Sequence, residues 1–195
     1  MTDVFVAGLS RRDIESISLA WRDALDLGCQ WAPDMIEILE RKIPSMWPDF
    51  SLIQRPDEEM VGIEGYTAFS PPLIAFPDTG YLDLVAGKPR ARWTAAHELG
   101  HLFLHEATTK HRDTDAVANR IIDRAYNSAE WQANRFASEF LMPEHVASEF
   151  SSAEELARNC NVSLQAARIR FEEIHPETSK KVPDVVRLYL DGKRK

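Results

Sequence analysis

The run from Thr94 to His105, which reads TAAHELGHLFLH, constrains this chain more than any other part of its sequence. Because His97 and His101 are four residues apart, a helix places them on one face with about 5–6 Å between their Cβ atoms. That spacing lets two imidazoles bind one zinc ion at about 2.0–2.1 Å each. Glu98 lies one step round the helix, where it can reach a metal-bound water without becoming a ligand. The run therefore predicts a metal-bearing helix with Thr94 as its N-terminal cap.

A third ligand for this metal is available downstream. A catalytic zinc usually has three protein ligands and one position left for water. Glu130 is the best candidate, because it stands early in a second predicted helix, which Ser128 can cap and Pro143 ends. Two antiparallel helices joined by a loop would bring its carboxylate beside both histidines. Asn134 is one turn later on the same face, where it can accept the ring N–H of a ligating histidine and fix its tautomer.

Two other residues near these helices have possible roles that the sequence leaves open. Tyr126 precedes Glu130 by four residues, so a continuous helix would place its hydroxyl near the metal as an oxyanion donor. A half-buried core tyrosine is the favoured alternative. His105 continues the histidine face by another turn and can support a ligand, contact a substrate or close the site as a fourth ligand. A hydrogen-bonded or surface histidine is the favoured interpretation.

The composition bears on partners and cellular compartment. The chain has 195 residues, a formal net charge of −8 and a pI near 5.3. Direct nucleic-acid binding is therefore not expected, since it requires clustered Lys and Arg. The N-terminus does not resemble a secretory signal, and no apolar run is long enough to span a bilayer. We therefore predict a cytoplasmic protein in which Cys29 and Cys160 are reduced.

Two blocks of the sequence resemble the ImmA/IrrE metallopeptidases. They are Arg92–His105 and Glu130–Pro143, within a weaker resemblance that covers roughly Ile14 to Ile174. The resemblance implies a gluzincin-like site in which Glu130 completes the zinc ligands. Where thermolysin-like gluzincins carry an aspartate four residues later, this chain has Asn134, which weakens ligand polarisation. Family members are regulatory proteases that cut a helix-turn-helix repressor.

The predicted fold is α+β, a minimal zincin-like metallopeptidase with N-terminal helices, a small antiparallel sheet, two metal-bearing helices and C-terminal helices. Within it, the second helix is expected to end at about Ile43, where Pro44 and Pro48 stop it, and residues 80–92 form a connection of uncertain shape. Leu73 to Phe76 is the predicted edge strand for an extended substrate. Residues 1–150 are predicted as the metallopeptidase domain and 151–195 as a C-terminal helical segment with a basic tail.

The sequence therefore predicts a zinc-dependent endopeptidase, with Zn²⁺ as cofactor and a helix-turn-helix repressor encoded nearby as substrate. In this mechanism Glu98 takes the proton of the zinc-activated water and returns it to the leaving amine. One alternative is a non-enzymatic regulator or toxin-type partner protein with a structural metal site. Another is a DNA-binding regulator that uses residues 153–171, whose cadence is typical of a helix-turn-helix. A packing or substrate-docking role for that segment is preferred, because its charges nearly cancel.

Overall fold

The computed structural model describes residues 6–105 and 128–176. The α-helices are α1 (Arg11–Ala24), α2 (Met35–Glu37), α3 (Ile43–Met46), α4 (Asp78–Val85), α5 (Pro89–His105), α6 (Ala129–Leu141), α7 (Glu144–Ala147), α8 (Ala153–Cys160) and α9 (Leu164–Ile174). A π-helical turn (Ile38–Lys42) joins α2 to α3, and a 3₁₀ turn occupies Asp57–Glu59. The strands are β1 (Ser51–Arg55), β2 (Tyr66–Phe69) and β3 (Pro72–Pro77). The predicted α+β class is confirmed, and the arrangement agrees with a minimal zincin-like fold.

The three strands form a mixed sheet in the order β1-β3-β2. β2 and β3 form an antiparallel hairpin, whereas β1 runs parallel to β3. The prediction of a purely antiparallel sheet is therefore wrong for β1. Residue patterns predict that strands exist, but the path of residues 56–65 across the end of β3 decides the direction of pairing. The prediction that Leu73–Phe76 is an edge strand is also wrong, because β3 is central and pairs on both sides.

The helix that contains Pro44 continues beyond it to Met46, so the predicted end at Ile43 is wrong, although the helix does end before Pro48. In the π-helical turn just before Pro44, the Ile43 N–H donates to the carbonyl of Ile38, five residues back. A π turn is wider than an α turn, which gives the proline ring room that a regular helix lacks. At the start of α1, Ser10 and Asp13 form a capping box, in which each side chain accepts from the backbone N–H of the other residue.

The connection predicted for residues 80–92 is helical over most of its length. It contains the end of α4 and the start of α5, whose first residue is Pro89. Proline is well suited to the first position of a helix, because the N–H that it lacks would have no partner there. Thr94 is therefore inside α5 and is not its cap. Its hydroxyl lies 3.2 Å from the carbonyl of Arg90, one turn earlier.

The core lies between α5 and α6 and extends to α1, β3 and the C-terminal helices. α8 and α9 contribute Leu156, Cys160 and Ala167 to the same core. Cys29 and Cys160 are both free thiols; the expectation of reduced, buried cysteines is met by Cys160, whereas Cys29 is exposed. No helix in the described ranges is long and apolar enough to cross a membrane. The proposed boundary at residue 150 stays a prediction.

Candidate metal centre

Three predicted ligands from two helices meet at one point. The Nε2 atoms of His97 and His101 on α5 are 3.0 Å apart, and the Glu130 carboxylate on α6 lies 3.4 Å from the first and 3.5 Å from the second. A tetrahedral ion with ligand bonds of about 2.0–2.1 Å separates its ligands by roughly 3.3–3.4 Å. Two imidazole nitrogens and one carboxylate at these separations therefore fit a zinc ion.

Gly100 allows the two helices to approach closely enough for this geometry. A Cβ atom at residue 100 would lie 3.0 Å from both the Cα and the carbonyl oxygen of Ala133 on α6, and 3.1 Å from the Cβ of Phe136. Ala133 is almost one turn after Glu130, so the contact at Gly100 determines how near the Glu130 carboxylate comes to the two histidines. The glycine between Glu98 and His101 in the sequence therefore has a packing role.

Asn134 lies where the sequence predicted, against the first histidine. Its Oδ1 is 3.2 Å from Nδ1 of His97. Because an amide oxygen only accepts, the His97 Nδ1 carries the proton and its Nε2 has a lone pair available for an ion between it and Glu130. Burial lowers the pKa of the His97 imidazole, against the opposing effect of Glu130. A neutral imidazole in this tautomer is the form that binds a metal ion.

Glu98 is buried beside this group and is held by a residue that the sequence did not single out. The Thr67 hydroxyl on β2 donates to Oε2 of Glu98 at 2.8 Å and also lies 3.0 Å from the Glu98 carbonyl. Burial raises the pKa of Glu98 to about 7, and the nearby charge of Glu130 acts in the same direction. The hydrogen bond from Thr67 opposes them and lowers the pKa. A carboxyl with a pKa near neutrality is suited to accept and donate a proton in turn.

The chain before β2 also approaches Glu98 closely. A Cβ at Gly65 would lie 3.1 Å from Cγ of Glu98 and 3.2 Å from Cγ2 of Thr94, so glycine permits this approach. Residues 62–65 form one wall of a cleft of about 960 Å³ that contains His97, Glu98 and Glu130. The opposite part of its lining includes Ala166 and Ile169 from α9. The metal group is thus in an open cleft with room for a polypeptide.

The remaining candidates differ in where they lie. Tyr126 is outside the described residues. His105 is buried, with its ring nitrogens 3.1 Å from His101 Nδ1 and 3.1 Å from Gln132 Oε1. It is therefore a hydrogen-bonded core histidine, in agreement with the favoured interpretation. The sequence singled out neither Thr67 nor Gln132, because nothing in their local sequence indicates which side chains they meet.

One known protein family matches the segment that contains this site. The Peptidase_M78 family model, described as an IrrE N-terminal-like domain, matches residues 86–172. The matched segment contains α5 and α6 with the three metal-binding candidates and Glu98, and it continues into α9. A search of curated proteins finds no match. The family match indicates a zinc metallopeptidase in general and confirms the resemblance that the two sequence blocks carry. Residues 86–172 of this chain are therefore similar to the IrrE N-terminal-like domain of the Peptidase_M78 family, which supports an ImmA/IrrE-type metallopeptidase.

Proposed function

We propose that this protein is a zinc-dependent endopeptidase in which His97, His101 and Glu130 hold the ion and Glu98 is the general base. The observation that carries the proposal is the convergence of these three ligands beside a buried glutamate in one open cleft. Bound zinc would supply a Lewis acid that activates water and polarises a peptide carbonyl. Among the described residues the group has three ligands, which suits a catalytic site more than a closed structural one.

Side chains of the protein itself transfer the proton from the attacking water to the leaving amine and orient the groups involved. Glu98 takes a proton from the attacking water and returns it to the leaving amine, and its pKa of about 7 suits both steps. The Thr67 hydroxyl keeps the carboxylate in one orientation while leaving its other oxygen to accept the proton. Asn134 orients His97 through the Nδ1 hydrogen bond.

We place an extended substrate along β2. This strand is an edge of the sheet, and its Thr67 contacts Glu98. An extended peptide can pair through its backbone with an exposed strand edge, which supplies affinity without requiring a particular sequence. β2 therefore takes the role that sequence analysis assigned to Leu73–Phe76.

We also propose that the substrate is one cytoplasmic regulatory protein, a helix-turn-helix repressor encoded nearby. The family resemblance implies this class, and α9 offers a docking surface because Gln165, Ala166 and Ile169 line the cleft. The packing of α9 also bears on the DNA-binding alternative. Arg170 is buried against Glu139, and Arg168 forms an ion pair with Glu154. Burial removes Arg170 from contact with a phosphate backbone, and the exposed Arg168 is paired with an acidic side chain, which favours docking over DNA recognition.

The expected result with whole substrates is narrow specificity. At equal concentrations, the neighbouring repressor should be cut at one site, whereas short library peptides are cut slowly, because contacts away from the scissile bond supply binding energy that a peptide lacks. Mass spectrometry with and without a chelator measures both reactions. Efficient digestion of unfolded casein at many sites would show a general peptidase instead.

Ile169 offers a test of the docking surface on α9. Ile169→Asp should lower kcat/KM for the repressor by about tenfold, because it places a charge in an apolar part of the cleft wall. The matched control is Leu164→Asp, on the same helix but outside the cleft lining; Ile169 is 55% exposed and Leu164 39%. The control should retain wild-type kcat/KM, and both variants should retain wild-type zinc affinity. Equal losses in the two variants would rule out a specific role for the cleft wall.

Gly100 offers a test of the helix approach that builds the metal group. Gly100→Ala should push α6 away by a few tenths of an ångström, since the new Cβ meets backbone atoms of Ala133. We expect a zinc affinity about tenfold weaker in chelator competition, near the lower end of the range for changes around a metal site. Gly80→Ala is the matched control. Gly80 lies on α4, outside the cleft lining, and its new Cβ would also make a close contact, at 3.0 Å from the Pro77 ring. Unchanged zinc affinity in Gly100→Ala would show that α6 is not held by this contact.

A further inference from the structure

A chain of buried polar groups leads away from the second histidine of the metal group. His101 Nδ1 lies 3.1 Å from His105 Nδ1, and His105 Nε2 lies 3.1 Å from Gln132 Oε1. The Gln132 side-chain amide then donates to the backbone carbonyl of Ala7 at 2.8 Å. His105 is 5% exposed and Gln132 is fully buried. The chain thus joins α5 and α6 to the segment before α1, and it ends at Ala7, which is exposed.

The last group in this chain determines the direction of every hydrogen bond in it. A backbone carbonyl can only accept, so the Gln132 amide nitrogen must face Ala7 and its oxygen must face His105. His105 Nε2 must then carry a proton to donate to that oxygen. In a neutral imidazole the other nitrogen is an acceptor, so His105 Nδ1 accepts from a protonated His101 Nδ1.

We propose that His105 and Gln132 are positioning residues that hold His101 in the tautomer with a proton on Nδ1. This tautomer leaves the Nε2 lone pair of His101 directed at Glu130 and the proposed metal position. A ligating histidine is commonly held in this way through its second nitrogen, and such support raises metal affinity. The inference rests on the metal ligands of the proposed function and adds two residues to the machinery of the site.

The two histidine ligands are therefore supported by separate devices. Asn134, which supports His97, lines the open cleft, whereas His105 and Gln132 are buried behind the metal group. If Gln132 instead turned its amide nitrogen toward His105, its oxygen would face the Ala7 carbonyl, and two acceptors would be opposed. That arrangement is costly, because Gln132 is fully buried and its oxygen could not find water as a substitute partner.

The direct test is the protonation pattern of the imidazole rings in the metal-free wild-type protein. Long-range proton–nitrogen correlation NMR at neutral pH distinguishes the two tautomers of each neutral histidine. We expect the proton on Nδ1 for His101 and on Nε2 for His105. The opposite tautomer on either residue would overturn the proposal, and this measurement requires no variant.

The second test compares two substitutions of similar size at residue 132. Gln132→Met removes the acceptor for His105 and should weaken zinc binding about 10–100-fold in competition with a chelator. Gln132→Glu keeps an oxygen acceptor for His105 Nε2, and burial favours its protonated carboxyl group, whose O–H can donate to the Ala7 carbonyl in place of the amide. Its zinc affinity should therefore stay within about threefold of wild type. Thermal unfolding of the metal-free variants reports any loss that comes from packing alone.

The outcomes separate this inference from the proposed function. Equal weakening in both variants would assign Gln132 a packing role, and unchanged affinity in Gln132→Met would show that the chain does not act on the metal site. Either result overturns the inference while wild-type zinc binding and peptidase activity stand. A wild-type protein that binds no zinc would overturn the proposed function together with it.

Discussion

Replacement of Glu98 by glutamine is expected to lower peptidase activity by about 10²–10⁴-fold, the usual range for loss of general acid–base catalysis. The amide has the size of the carboxyl group and can still accept the Thr67 hydrogen bond through its oxygen, so the local structure should be retained. It cannot take a proton from water. The loss should therefore appear in kcat, with KM for the substrate nearly unchanged.

Zinc content and a matched control complete this experiment. Glu98→Gln should bind one equivalent of zinc with nearly wild-type affinity, because Glu98 is not among the proposed ligands. Glu64→Gln makes the same chemical change at an exposed glutamate of the same cleft and should change kcat by less than about tenfold. A zinc-loaded Glu98→Gln protein that cleaves at the wild-type rate would refute the role of Glu98 as general base.

Glu130→Ala is expected to lose both tight zinc binding and activity, because it removes one of three ligands and the only anionic one in the group. Asn134→Ala should weaken zinc binding by only about 10–100-fold, since it removes a hydrogen bond to a ligand and leaves all three ligands in place. Metal analysis after dialysis, followed by chelator competition, measures the difference between the two variants.

The exposed Glu144 on α7 provides the control, and Glu144→Ala should retain wild-type zinc affinity. Tight binding of one zinc by Glu130→Ala would mean that the third ligand lies elsewhere. Glu139, which is also on α6, cannot easily take that role. Its carboxylate is buried and pairs with both Arg135 and Arg170.

The sequence predicted that His97, His101 and Glu130 would lie together, because most of the information for this is local. The His97–His101 spacing depends only on helix periodicity, and Ser128 caps α6 as expected. One long-range step was needed, the antiparallel approach of α5 and α6 that brings in Glu130. The sequence also contained the residue that permits this approach, Gly100, although its meaning became visible only beside the Ala133 backbone.

Errors in the predicted fold arose where local signals admit two structures. Pro44 ends many helices, but here a π turn precedes it and the helix continues. Thr94 has the chemistry of a cap, yet Pro89 begins the helix five residues earlier. The residue pattern of a strand likewise does not specify its direction or its neighbours in the sheet. Only the path of the chain showed that β3 is central and that β2 is the edge strand beside Glu98.

The sequence by itself determined the proposed ligand set of this protein, because ligand type and helical spacing are properties of short segments. Only the tertiary structure decided what supports that chemistry. Thr67 meets Glu98 from 31 residues away, and Gln132 meets His105 from 27 residues away. A hydroxyl or an amide has no local signature for such a partner, since each can be satisfied equally well by water until folding removes the water. The residues that position the catalytic and ligating side chains therefore emerged from packing.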